Sequence, residues 1–330
     1  MVPAVQRCIG PRLIASPMRW AILWATGLLG SQSIGAQTPL AHEPEILKFG
    51  PMRTELVKDG LYVIRGPFLP CAPNGCRPGG NDDGLFHEAG DVALRVTPEG
   101  LILVDDKFPN HVEGILEQVR SVSGLPIRYV LNTHHHGDHV SGNVLIRQMG
   151  IDVIAHENIR ANFLMIEQPG EPNIVFNNDA ALYLGGIEVR MLYLGRGHTN
   201  GDTVIYFPDL KVVHAGDLIV DGMPVIDYGA GGSAIEFVST IGALLDVDFD
   251  RLIPGHGKLM SKDDIVAYKA RFEELNRRMR NLARRGVPKA QARAQLHLED
   301  LGWDNTVSTT TWAAISFDRH YDEMAANPSN

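Results

Sequence analysis

The stretch LNTHHHGDHV, residues 131–140, places four histidines and one aspartate in six consecutive positions. A run this dense is a tag remnant, loop decoration or a metal site, and its surroundings decide which. The segment IRYVLNT (127–133) that leads into it is apolar and β-rich, so the cluster hangs from a strand end. His134, His136 and Asp138 are two apart, and in extended chain alternate side chains face the same way. His139 then points elsewhere, with Gly137 letting the chain bend between them. A helical zinc site would space its histidines four apart instead. His135 falls out of phase and reads as a solvated residue or one packed behind the ligands.

Working outward, three further residues stand in the same kind of setting. His198 lies in GRGHTNGDT, Asp217 in VVHAGD and His256 in IPGHG. Each follows an apolar β run, at a strand end, beside glycine, which lets backbone and metal approach closely. His214 reads as packing beside this site. His87, His111, His156, His297 and His320 have no motif around them and read as ordinary surface or core residues.

The rest of the chain alternates hairpins with crossovers. TELVKDGLYVIRG turns at Lys-Asp-Gly and DVALRVTPEGLILVDD at Pro-Glu-Gly. HVEGILEQVRSV and GNVLIRQMG read as helices, IDVIAH as a strand, and residues 170–181 as irregular. IEVRMLYLG and DTVIYFPDLKVVHAGD give three more strands, then SAIEFVSTIGALLDV a helix opened by a Ser233-x-x-Glu236 capping box. A long amphipathic helix covers SKDDIVAYKARFEELNRRMRNLARRG, and RRMRNLARR within it reads as its solvated face. Two series of strands followed by helices point to two packed sheets with helices outside.

The motif series H-x-H-x-D-H, a later His, an Asp and a late G-H-G resembles that of the metallo-β-lactamase superfamily over roughly residues 55–260. The resemblance implies an α/β fold, the four-layer αβ/βα sandwich of two mixed β-sheets flanked by helices. It implies two zinc ions, one on His134, His136 and His198, the other on Asp138, His139 and His256, with Asp217 bridging. Imidazole and carboxylate donors suit zinc, and open positions make such a site catalytic. A metal-bound water with a pKa of roughly 7 then attacks a carbonyl carbon, with Asp138 orienting it and handling its proton. Asp105 in LILVDD matches the family's first aspartate, expected to fix a ligand histidine. The family has Thr-Gly after it, whereas this chain has Asp106-Lys107; two solvated carboxylates at a strand end are the alternative.

The family spans β-lactamases, lactonases, thioesterases, nucleases and dioxygenases, so its motifs fix the metal site and not the substrate. GRGHTNGDTVIYFP is similar to the true β-lactamases, but those commonly carry Cys or Ser where Asp217 stands. The resemblance therefore implies a zinc-dependent hydrolase opening a cyclic amide or ester, such as a β-lactam or lactone. The alternatives are a mononuclear-iron persulfide dioxygenase and a non-enzymatic periplasmic metal-binding protein. The loops 67–83 and 221–232 are expected to set specificity, with Asp227 and Tyr228 reaching the substrate. Lys211 and Lys258 lie in the neighbourhood of the site, with nothing to orient them.

Residues 1–36 read as a signal peptide, with Arg19 followed by the apolar WAILWATGLLG and a cleavage point after Ala36; Met18 is an alternative start. Residues 37–52 are a lead, 53–286 the metallo-β-lactamase-fold domain and 287–330 a helical C-terminal extension. Periplasmic or secreted localisation follows, with no membrane contact after cleavage. In an oxidising compartment Cys71 and Cys76 would close the small loop PCAPNGC as a disulfide. The signal carries three Arg and no acid, so its removal takes the formal charge from −9 to −12. No basic run offers nucleic acid a footprint, which leaves a small-molecule substrate as the partner. Oligomeric state has no signature in the sequence.

Overall fold

Strand alternation sets the layers. In β5 (Val92–Thr97) and β6 (Gly100–Val104), Ala93, Ile102 and Val104 face one way, and Val92, Leu94, Leu101 and Leu103 the other. The computed structural model describes residues 52–70, 85–87, 89–303 and 307–328. The export signal over 1–36, the lead to residue 51 and the Cys71–Cys76 pairing lie outside the described residues.

The first sheet joins β1 (Arg53–Lys58), β2 (Leu61–Arg65), β5, β6, β7 (Ile127–Leu131), β8 (Asp152–His156) and β9 (Ile174–Phe176) in that order. It is antiparallel from β1 to β6 and parallel from β6 to β9. The second runs β10 (Asp179–Leu184), β11 (Ile187–Tyr193), β12 (Thr203–Phe207), β13 (Val212–His214), β14 (Arg251–Ile253), β15 (Met260–Ser261). It is antiparallel except for the parallel pair β13–β14. The loop expected over 67–83 begins with structure: β3 (Phe68–Pro70) pairs antiparallel with β4 (Leu85–His87).

The two sheets face each other across Leu61, Val63, Ile102, Val104 and Leu131 on one side and Val189, Met191, Ile205, Phe207 and Ile253 on the other. Outside the first sheet, α1 (Val112–Val122) and α3 (Asn143–Gln148) cover Leu94, Leu101 and Leu103 with Ile115, Val119 and Ile146. Outside the second, α5 (Ala234–Asp246), α6 (Lys262–Arg284), α8 (Val307–Ile315) and α9 (Phe317–Ala326) cover Val204, Tyr206 and Val213. This is the four-layer α/β/β/α order expected from the sequence. The described residues belong to one compact unit, and none of their helices is long and apolar enough to cross a membrane.

Some elements differ from expectation. α4 (Glu157–Met165) fills a stretch that the sequence reading left without an element, and β9 sits inside the supposedly irregular 170–181. The capping box at α5 is half formed. Ser233 Oγ accepts from Glu236 N, but the Glu236 carboxylate pairs with Arg196. A full box instead opens α6, where Ser261 and Asp264 each accept from the other's backbone N–H. RRMRNLARR is not uniformly solvated either. Met279 and Leu282 are buried, and Arg278 pairs with Asp300 at 2.6 Å.

Candidate metal centre

The parallel pairs β6–β7 and β13–β14 send their C-terminal ends to a common rim between the sheets. Asp105, the histidine cluster, Asp217 and His256 leave from those ends, and His198 from the β11–β12 loop. None but Asp105 directly abuts a strand. His198 lies mid-loop, Asp217 in a 3-10 turn over Gly216–Leu218, and His256 beyond β14. The cluster itself is not extended throughout. His136 caps the short helix α2 (Gly137–Val140), which carries Asp138 and His139 on its first turn. Gly137 has no positive φ; an added Cβ there would press on Ser141 Oγ at 2.9 Å.

Seven side chains converge in two adjacent groups. His134, His136, His198 and Asp217 form one, and Asp138, His139 and His256 the other. In the first, His136 Nδ1 and His198 Nε2 lie 2.9 Å apart, and Asp217 Oδ2 is 3.8 Å from His198 Nε2 and 4.0 Å from His134 Nε2. In the second, His139 Nε2 is 3.3 Å from His256 Nε2, which is 3.2 Å from Asp138 Oδ2. Asp217 turns its other oxygen here, with Oδ1 3.1 Å from His139 Nε2 and 3.5 Å from His256 Nε2. Donors about 2.0–2.1 Å from a tetrahedral ion stand about 3.3 Å from one another, close to these separations.

The donor atoms fit a cation and little else. His134 Nε2 and Asp217 Oδ1 are buried without a hydrogen bond, a costly arrangement unless something positive sits between them. Burial holds His134 and His198 below the ordinary histidine range, His198 at about 4, so both offer neutral lone pairs. At His139 burial works the same way, but Asp217 and Asp138 outweigh it and raise the imidazole, marking a point where positive charge is favoured. Asp138 is held below the usual carboxylate range, since His139 and His256 overcome the upward push of burial. His134, His139 and His198 form the buried floor; His136, Asp138 and His256 are 28%, 29% and 29% exposed and form the open side.

The rings of His139, His136 and His198 are each held from behind. Asp105 is buried, accepts from His139 Nδ1 at 2.9 Å, and takes Thr133 N and Oγ1 at 2.8 and 2.7 Å, so it is not a solvated carboxylate. His136 Nε2 donates to Asp227 Oδ2 at 2.9 Å, and His198 Nδ1 to Val225 O at 2.7 Å. Such partners fix tautomer and ring direction. Asp227 is therefore behind a ligand, and its other oxygen caps Gly229 N and Ala230 N. Tyr228 does not face the site, because its hydroxyl donates to Glu323 at 2.7 Å. His135 is buried, not solvated, and burial pushes it down to about 3; its Nδ1 is 3.5 Å from Asn162 Nδ2. With His136 and Asp227 it makes a third His/Asp group, which the 2.9 Å hydrogen bond already occupies. His214 is buried beside the site, between Asp91 O and Gly216 N. Lys211 pairs with Asp248 on the surface, and Lys258 is 76% exposed near Asp221.

Residues that sequence reasoning missed include Thr133, Val225 and Lys107. Lys107 has φ +60° and is wholly buried, with Nζ donating to Gly90 O and Ala89 O. The Asp106-Lys107 pair quoted in the sequence was its only signal.

A profile of the Metallo-beta-lactamase superfamily matches residues 90–256, half of the chain. The metallo-beta-lactamase type 2 of Elizabethkingia meningoseptica is 25% identical over 210 residues, 62% of this chain and 73% of that protein. The hydroxyacylglutathione hydrolase of Crocosphaera subtropica is 25% identical over 192 residues, 57% of this chain and 66% of that protein. In fold, the solved metallo-beta-lactamase from Pontibacter korlensis is similar with a TM-score of 0.58 at 17% identity, covering 67% of this chain and 99% of that one.

Proposed function

Because the chain belongs to the metallo-beta-lactamase superfamily, we propose that it is an exported dizinc hydrolase that opens a cyclic amide or ester, a β-lactam or lactone. One observation carries the dinuclear reading: Asp217 turns Oδ2 to one donor group and Oδ1 to the other. The reading assigns one ion to His134, His136 and His198 and the second to Asp138, His139 and His256, with Asp217 shared. When bound, zinc supplies Lewis acidity and a water that ionises at about pH 7.

The chain's own residues do the rest. Asp138 stands on the open side, where its carboxylate holds the attacking water and takes its proton. Asp105, Asp227 and Val225 O keep the rings of His139, His136 and His198 in one tautomer and direction. Likeness to both a β-lactamase and a hydroxyacylglutathione hydrolase supports a carbonyl electrophile and sets the panel for the test. The apolar stretch after Arg19 supports export to the periplasm or medium.

Protein starting at Gln37 should contain two zinc ions per chain and hydrolyse a member of a β-lactam, lactone and thioester panel, losing activity to a chelator. Two zinc ions with no turnover of any β-lactam or lactone overturns the substrate assignment. One iron per chain with oxygen uptake overturns the hydrolase and points to the dioxygenase chemistry of the same fold.

A further inference from the structure

The loop 225–234 carries two of the acceptors that aim the ligand rings, Val225 O for His198 and Asp227 Oδ2 for His136. On its inner side it is stitched to the metal-site loop, with Asp227 N donating to His198 O at 2.8 Å and Ser233 N to Gly197 O at 3.0 Å. Its outer side is held by residues far beyond the family match. Ser316, fully buried, brackets Ile226: its hydroxyl accepts from Ile226 N at 2.9 Å and donates to Ile226 O at 3.0 Å. Ile226 lies between the two acceptors, so its peptide groups set both. Seven residues further, Glu323 on α9 gathers Tyr228 Oη at 2.7 Å, Ser233 Oγ at 2.5 Å and Ala234 N at 2.9 Å. Hydrogen bonds to a carboxylate are the stronger kind, and these three close the far end of the same loop.

We propose that Ser316 and Glu323 are positioning residues for the His134/His136/His198 metal group, acting through the loop 225–234. The proposal rests on the metal reading above. It makes the C-terminal helices part of the metal centre's support rather than an appendage. The clamp serves one group only, because in the second His139 is held by Asp105, Asp138 O by Gly90 N and His256 O by Asp221 N, none of them in the loop 225–234. Removing it leaves α9 docked, since Phe317, Tyr321 and Met324 remain in the core.

The test uses the full chain and zinc titration in competition with a chromophoric chelator. In a His256→Ala background, which isolates the first group, Glu323→Ala and Ser316→Ala should each weaken zinc binding about 10-fold, the low end of the cost of losing a ligand's hydrogen-bond partner. In a His198→Ala background, which isolates the second group, both should leave affinity unchanged. Lys289→Ala, which removes a surface ion pair to Asp322 on α9, should be silent in both. Glu323→Gln keeps an acceptor for Tyr228 and should recover part of the loss. Unchanged affinity in the first background overturns the proposal, as does an equal loss in both, which marks general loosening. A wild-type chain that takes up no zinc overturns the functional reading instead.

Discussion

Gly90 passes so close to His139 that an added Cβ would stand only 2.2–2.6 Å from three atoms of the imidazole. Its backbone is fixed there, with N donating to Asp138 O at 3.2 Å and O accepting from the buried Lys107. Gly90→Ala must therefore push His139 off its position, because the backbone, tied at both N and O, is not free to retreat. The variant should bind one zinc where the wild type binds two, and lose about 1–3 kcal/mol of stability to overpacking. Metal content by mass spectrometry checks it, and two tightly held ions in the variant would sink the idea. Gly255 plays the matching part against Asp217 Oδ1. The seven donors were legible in the sequence because each is a His or Asp in a glycine-flanked exit from an apolar run. What aims them was mostly not. Val225 acts through its carbonyl, which any residue has. Lys107 showed in the sequence only as a departure from the family's Thr-Gly, and its left-handed backbone and burial were not legible there. Asp227 was noticed, but as a substrate contact; sequence gives no register between residue 136 and residue 227.

Elements were legible where burial is one-sided. β12 splits cleanly, with Ile205 and Phe207 between the sheets and Val204 and Tyr206 under the helices, and its β-branched and aromatic run shows in the sequence. α4 hides because its buried face of Ile159, Asn162 and Phe163 includes a polar residue, and Asn162 is there to bond Asn200. β9 hides because it is three residues long at a sheet edge with Ile174 and Val175 exposed. Caps show the same limit. Ser233 and Ser261 have equivalent signatures, yet only Ser261 closes its box, because Arg196 draws Glu236 away. Ser261→Ala should then cost about 1 kcal/mol, the usual worth of an N-cap, with zinc content unchanged. Urea denaturation followed by circular dichroism measures it. No shift in midpoint would mean that the box contributes nothing to α6.

At the scale of the whole molecule, the metal centre sits at a seam, with ligands from both sheets and supports from the C-terminal helices. The segment expected as an extension joins the core over the second sheet through Trp303, Trp312, Phe317 and Tyr321. Scattered aromatics reveal in sequence that something is covered, not what. The tie between these layers is polar. Trp312 Nε1 donates to His320 Nδ1 at 3.4 Å, His320 Nε2 donates to Asn276 Oδ1 at 2.6 Å, and Asn276 Nδ2 donates to Ala234 O at 2.9 Å. Only a neutral imidazole serves, accepting at one nitrogen and donating at the other. Burial, helped by Arg280, accordingly pushes His320 down to about 3. An unfolded histidine titrates near pH 6.5. Between those values the unfolded chain binds a proton that the folded one refuses, so stability is whole above about pH 6.5 and falls as the pH drops towards 3. At about pH 5 this residue alone should have removed up to about 2 kcal/mol. His134, His135 and His198 push the same way, so the informative quantity is the difference between wild type and His320→Gln, whose amide can also accept and donate. The variant should start less stable at about pH 7.5 and lose less on acidification, as measured by urea midpoints at both pH values. Parallel loss in the two proteins would show that His320 takes its proton while the fold is intact, and that its links to Trp312 and Asn276 do not hold the layers together.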